Sequence, residues 1–168
     1  MDFQTLPEIC DYMASFVSGE NQTILEPTPG EGNLVSALKK RGNVVSPADF
    51  FSLPCGRYDW IVANPPFTPM KVGYQILDRC LGMSDNLIFL MPWLVLINGE
   101  RRTRRLREFG LVSVTHLPRK AFSGARVQTC ILELRRWWMG TTALKFYGLT
   151  DQPLKLDYDS PRPLKPRP

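Results

Sequence analysis

Histidine is nearly missing from this chain, with His116 the only one, and the four cysteines, Cys10, Cys55, Cys80 and Cys130, are scattered without a Cys-x-x-Cys pair. A zinc site needs closely spaced thiolates and imidazoles, so no metal is expected, and the cysteines read as reduced, partly buried thiols. His116 lies in an apolar alternation, the setting of a packed or rim side chain rather than of a catalytic base. Long hydrophobic runs are absent too: none reaches the ~18–20 residues that span a bilayer, and the amino terminus, with Asp2 and Glu8, has no secretory pattern. An intracellular, cytoplasmic protein without a membrane partner is expected. No P-loop Gly-Lys-Ser/Thr occurs, and no internal repeat. With 168 residues, 43% of them hydrophobic, the chain can bury one sizeable core but hardly two.

What the chain does have is Asn64-Pro65-Pro66-Phe67, closing the apolar run Trp60-Ile61-Val62-Ala63. Proline holds its own φ near about −65° and pushes the preceding residue toward extended geometry, so Asn64 and Pro65 have little freedom. An amide, two rigid rings and an aromatic side chain at a strand end suit a ledge that holds a planar amine still. The plain alternative is a strand stopped by prolines.

Upstream runs Ile24-Leu25-Glu26-Pro27-Thr28-Pro29-Gly30-Glu31-Gly32-Asn33-Leu34-Val35, an apolar strand end, a glycine turn and a helix start. Gly30 and Gly32 remove side chains where a ligand would approach the backbone. The dinucleotide fingerprint wants a third glycine where Val35 stands. Glu26 at the mouth of the loop would repel a pyrophosphate and attract an ammonium, so the charge argues for a zwitterionic amino-acid cofactor; S-adenosylmethionine fits.

The Glu-Pro-x-x-Gly-x-Gly loop followed by Asn-Pro-Pro-Phe resembles the S-adenosylmethionine-dependent adenine amino-methyltransferases, in the class whose cofactor loop precedes the catalytic tetrapeptide. The resemblance spans about Leu6 to Arg136. It implies a Rossmann-like class I methyltransferase fold, an α/β open, mostly parallel sheet with helices on both faces and an antiparallel edge strand. It implies adenine-N6 methylation of DNA, of the restriction-modification kind, in a minimal form without a target-recognition domain. Asn64, Pro65, Pro66 and Phe67 would be catalytic. Thr5, Glu26, Pro27, Thr28, Gly30, Gly32, Asp49, Phe50 and Asn64 would bind the cofactor, with Glu26 on its methionine amino group. Phe67, Arg119, Lys120, Phe122 and Arg126 would hold the substrate. RNA adenine or a protein glutamine amide is the alternative substrate, since the same ledge can present any planar amine. A catalytically weak nucleic-acid-binding subunit is a further alternative.

One stretch departs from that family's pattern: a helix and a strand are missing between Arg41 and Asp49-Phe50-Phe51. Asp49 would then bind the ribose hydroxyls, or accept from the adenine amine with Phe50 stacking on the ring, or merely cap a turn. Weak or partner-dependent cofactor binding is expected from the loss.

The net charge of +5 and a pI near 9.2 suit a polyanionic partner, DNA or RNA. Arg101, Arg102, Arg104, Arg105 and Arg107 crowd one segment, either a solvated helix or a phosphate-binding one. Arg119, Lys120 and Arg126 flank Phe122, a composition that suits single strands or a flipped nucleotide.

Periodicity sets out the elements. Thr5-Leu6-Pro7-Glu8 reads as a capping box opening a helix whose apolar stripe is Ile9, Met13, Phe16 and Val17. Strands follow at Thr23–Glu26, Asn43–Ser46, Asp59–Ala63 and Leu87–Met91. Helices are expected at Asn33–Arg41, Met70–Gly82 and from Asn98 or Gly99 to Gly110. Leu111–Leu117 and Gln128–Leu134 read as an antiparallel edge pair. Trp137-Trp138 and Thr142–Tyr147 form either one more strand or an exposed aromatic patch. The catalytic domain covers residues 1–150, and 151–168, rich in proline and basic residues, reads as an extended tail. Too little chain remains after Leu134 for a separate recognition domain, so sequence discrimination is expected to be slight unless a partner chain supplies it.

Overall fold

The computed structural model describes residues 5–118 and 127–148. Seven strands form one sheet, in the order β2-β1-β3-β4-β6-β5-β7. They are β1 (Gln22–Leu25), β2 (Gly42–Val45), β3 (Trp60–Ala63), β4 (Asn86–Pro92), β5 (Leu111–His116), β6 (Thr129–Arg135) and β7 (Ala143–Phe146). The helices are α1 (Pro7–Ser15), α2 (Asn33–Leu38), α3 (Met70–Cys80), α4 (Leu94–Ile97) and α5 (Glu100–Phe109).

β3 is apolar at every position and β4 from Leu87 onward because both of their faces are covered. Successive side chains point to opposite sides, and the burial pattern follows that alternation. Ile24, Trp60, Val62, Ile88 and Leu90 pack with Ile9, Met13 and Leu38 from α1 and α2. Leu25, Ile61, Ala63, Leu87, Phe89 and Met91 pack with Ile76, Leu77, Leu106 and Phe109 from α3 and α5. Each fully buried aliphatic side chain contributes roughly 1.5–3 kcal/mol, so this double-sided packing is what fixes the strand ends in place.

β1 pairs in parallel with β2 on one side and with β3 on the other. The chain leaves β1 in one direction and returns in the opposite one, so the carboxyl ends of β1 and β3 border the crevice in which open α/β sheets hold ligands. Glu26 follows β1 and Asn64 follows β3.

Three expectations need correcting. The antiparallel strand is present, but it is β6, lying between β4 and β5 rather than at an edge. The crossover through α5 lays β5 down one position too far out to pair with β4, and β6 folds back into the gap, where Ile131, Leu132 and Leu134 are fully buried. The edge is β7, parallel to β5 and exposed at all four positions, so the residues after Trp137-Trp138 form a strand and an exposed apolar surface at once. The capping box does not form: Leu6 is the N-cap residue, with no side-chain cap. Pro7 takes the first helical position, where its missing N–H leaves no donor to satisfy and its fixed φ suits the helix. The shortened stretch consists of turns between β2 and β3, and β2 is the opposite edge of the sheet.

Candidate functional site

The site grows from Glu26, placed by β1 and β2 together. Its backbone N–H donates to the Val45 carbonyl at 2.9 Å, and its backbone carbonyl accepts from the Ser46 hydroxyl at 3.2 Å. The side chain is wholly buried. Oε1 receives the Thr28 backbone N–H at 3.0 Å and lies 3.2 Å from the Thr28 hydroxyl. Oε2 has no partner among the described residues. Burial pushes the carboxyl up to about 7, against the opposing pull of the two Thr28 donors. A buried acceptor left unmet costs about 1–3 kcal/mol, and more when charged, a cost that an incoming cation would relieve.

The loop after Glu26 is open. Gly30 has φ 52° and Gly32 φ 87°, backbone that side chains rarely adopt, and a Cβ at Gly32 would meet nothing within 4 Å. Pro27 is buried. The space is that of a cradle, and the unmet carboxylate stands at its entrance.

Asn64 is held from both ends. The Thr28 hydroxyl lies 3.2 Å from its backbone carbonyl, so one hydroxyl sits between the Glu26 carboxylate and the start of the tetrapeptide. Its side-chain Nδ2 donates to the Thr5 hydroxyl oxygen at 2.6 Å. Thr5, only 6% exposed, is itself braced by Asn33 Nδ2, 3.5 Å from its carbonyl, and by the Cys10 thiol at 3.7 Å. The start of α2, after the glycine turn, and the helix before β1 therefore both support the amide.

The rest of the tetrapeptide is seated on its neighbours. Pro65 is buried and Pro66 exposed, and Phe67 packs against the α1 and α2 side of the core. At Gly73 of α3 a Cβ would lie 2.8 Å from the Pro66 carbonyl, so glycine allows the helix to press against the ledge. Neither Asn33 nor Gly73 stood out in the sequence. Asn33 directly follows the glycine turn, a position that could have drawn attention to it, whereas nothing local marks Gly73.

Asp49 and Phe50 are placed differently. Asp49 is exposed, and it closes its own turn, accepting from the Phe51 N–H at 3.0 Å and from the Ser52 hydroxyl. The Ser52 hydroxyl, then the Phe51 N–H, hold its carboxyl below the usual range. Phe50 belongs to the core, with the Arg79 guanidinium 4.9 Å from its ring centre; the open ring is that of Phe51, which is 50% exposed. Asp49 thus caps a turn, the third of its readings.

The arginine helix is partly engaged. Arg104 pairs with Glu100 at 2.6 Å, Arg105 with Asp78 at 2.8 Å, and Arg102 lies 3.5 Å over the Tyr74 ring. Arg101 and Arg107 are exposed and unpaired among the described residues. His116 packs between the rings of Trp93 and Phe146, at 5.9 and 5.8 Å. Cys10, Cys80 and Cys130 are buried and Cys55 is exposed. Arg119, Lys120, Phe122 and Arg126 lie outside the described residues, as does the tail from 151. No helix among the described residues is long and apolar enough to cross a membrane.

No protein-family model matches the chain, and no curated protein matches its sequence. Solved structures do. The chain is similar to a type I restriction-modification methyltransferase subunit from Streptococcus thermophilus, with a TM-score of 0.67 and 14% identity over 86% of this chain and 47% of that one. It is similar to a class I S-adenosylmethionine-dependent methyltransferase from Listeria monocytogenes, at 0.60 and 15% over 83% of this chain and 64% of that one. It is also similar to a 23S rRNA methyltransferase, at 0.57 and 18% over 80% and 70%. The chain spans about half the length of the restriction-modification subunit. What these likenesses share is the class I methyltransferase fold, and this chain has that fold.

Proposed function

We propose that the chain transfers a methyl group from S-adenosylmethionine to the exocyclic amine of adenine in DNA. One observation carries the reading: a single hydroxyl, that of Thr28, lies 3.2 Å from the Glu26 carboxylate and 3.2 Å from the Asn64 carbonyl, at the crevice between β1 and β3. The cationic end of a donor and the planar amine of an acceptor would thus sit next to each other.

The residues present fit the cofactor. Glu26 Oε2, unmet and buried, takes its ammonium; the open turn of Gly30 and Gly32 lets it approach the backbone; Pro27 and Thr28 shape the entrance. When bound, it supplies a methyl group on a sulfonium, which is an excellent leaving group. Asp49 and Phe50 are the less favoured members of the set, since Asp49 caps its own turn and Phe50 packs in the core.

The work of the protein is to prepare the amine. Its lone pair is delocalised into the ring, which makes it a poor nucleophile. The Asn64 side-chain oxygen and the Pro65 carbonyl each accept one of its protons, which draws the nitrogen toward tetrahedral geometry and aims the lone pair. Phe67 stacks on the base, worth about 1–3 kcal/mol against the few kcal/mol of unstacking. Holding two reactants in line can supply up to ~7–11 kcal/mol of the acceleration. Arg119, Lys120, Phe122 and Arg126 would steady the flipped strand.

The test is methyl transfer from radiolabelled S-adenosylmethionine to DNA, RNA and protein side by side. Label in DNA adenine is expected; label in RNA alone would replace the substrate, and none in any of the three would remove the activity. RNA is the second reading, favoured by the likeness to a 23S rRNA methyltransferase. A weak binding subunit that needs a partner chain is the third, favoured by the turns that replace a helix between β2 and β3.

A further inference from the structure

Building on the donor and acceptor sites just assigned, we propose that Thr5 is a positioning residue that makes the orientation of the Asn64 amide depend on an occupied methyl-donor site. An amide has two ends of similar size and opposite polarity, and only its oxygen can accept a proton from the target amine. In the structure Asn64 Nδ2 donates to the Thr5 hydroxyl oxygen at 2.6 Å, so its oxygen is the end left for the substrate.

A hydroxyl can both accept and donate, so Thr5 alone does not enforce this orientation; with the amide turned over, Thr5 would simply donate to it. What decides is where the Thr5 proton goes. Thr5 is nearly buried, and among the described residues its hydroxyl bonds to Asn64 alone. An amino-acid ligand whose ammonium is on Glu26 carries a carboxylate within a few bonds of that ammonium. Thr5 stands on the same side of the crevice: Asn33, at the end of the ligand loop, holds its carbonyl, and Thr28 joins Glu26 to Asn64. A ligand carboxylate that takes the Thr5 proton obliges Thr5 to accept, and the only donor then facing it is Asn64 Nδ2. The catalytic amide is set by loading the donor site.

The experiment reads the side-chain NH2 signals of Asn64 in 15N-labelled protein, assigned by their loss in Asn64→Asp. S-adenosylhomocysteine, which carries the amino acid, is expected to shift one of the two protons and slow its exchange by at least about fivefold. Methylthioadenosine, which lacks the amino acid, is expected to leave both unchanged. Thr5→Val should abolish the response, raise the KM for the cofactor about tenfold and, at saturating cofactor, still lower kcat about tenfold; Thr5→Ser should restore all three. A merely structural Thr5 would not distinguish the two ligands. Equal responses to both, or a full response in Thr5→Val that still binds S-adenosylhomocysteine, would overturn the coupling and leave methyl transfer standing. Failure of the wild type to bind S-adenosylhomocysteine would remove the methyl-donor site itself, and the coupling with it.

Discussion

Two acids follow neighbouring parallel strands, and their surroundings could hardly differ more. Glu26, after β1, is wholly buried, keeps one oxygen without a partner and has its carboxyl pushed up to about 7. Asp49, after β2, is exposed, has both oxygens engaged in its own turn and has its carboxyl held down. An acid whose desolvation is unrelieved stabilises any cation that reaches it. One that already caps a turn has little left to offer a ligand. Position after a strand, which the two share, does not decide between them; the fate of each carboxylate oxygen does.

The strongest way to break this contrast is through Phe50, the neighbour of Asp49. Phe50→Ala is expected to cost about 3–5 kcal/mol of stability in urea unfolding, because the ring belongs to the core. A stable variant that loses only cofactor affinity would make the Asp49 turn a binding loop after all. Next comes Asn64, joined to Glu26 through Thr28. Asn64→Ala is expected to lower turnover about 10²–10³-fold while calorimetry shows cofactor binding nearly intact. Near-normal turnover would take Asn64 out of the mechanism.

Glu26→Gln sharpens the comparison through pH. The folded carboxyl lies above its ordinary value of 4.5, at about 7, so its burial favours folding below about pH 4.5 relative to higher pH, and that advantage is lost as pH rises through 7. The variant is therefore expected to gain on the order of 3 kcal/mol over the wild type at pH 8 and nothing at pH 4, while cofactor binding is lost. Equal stability at pH 8 would mean that the carboxylate is not desolvated. Asp49→Asn has the smallest effect: Tm and cofactor Kd are expected to stay within error, and a Kd increase of about tenfold would restore Asp49 as a ligand residue.

Much of the architecture could be read from periodicity, because a sheet covered on both faces gives its inner strands near-continuous apolar runs and helices of 3.6 period separate them. Leu87 to Met91 and the stripe through α1 are cases of this. The site was legible only where its parts are local: Glu26 with its glycine turn, and the rigid tetrapeptide. Thr5 suggested a helix cap because local pattern favours that use, whereas its hydroxyl engages Asn64, far along the chain. The place of β6 depends on which strands pair across a crossover, and no residue in Gln128–Leu134 encodes an inner rather than an edge position. Phe50 and Phe51 are adjacent and identical in type; the turn that Asp49 closes decides which one faces inward.

At Gly73 the ledge rests on an atom that is not there. A methyl carbon at that position would stand 2.8 Å from the Pro66 carbonyl, backbone against backbone, with no flexible side chain to yield. The smallest possible substitution, one hydrogen for one carbon, would therefore lift α3 or tilt the prolines, and displacements of about 1 Å at a reacting centre can cost a hundredfold in rate. A residue with no functional group at all thus governs how finely the functional ones are aimed.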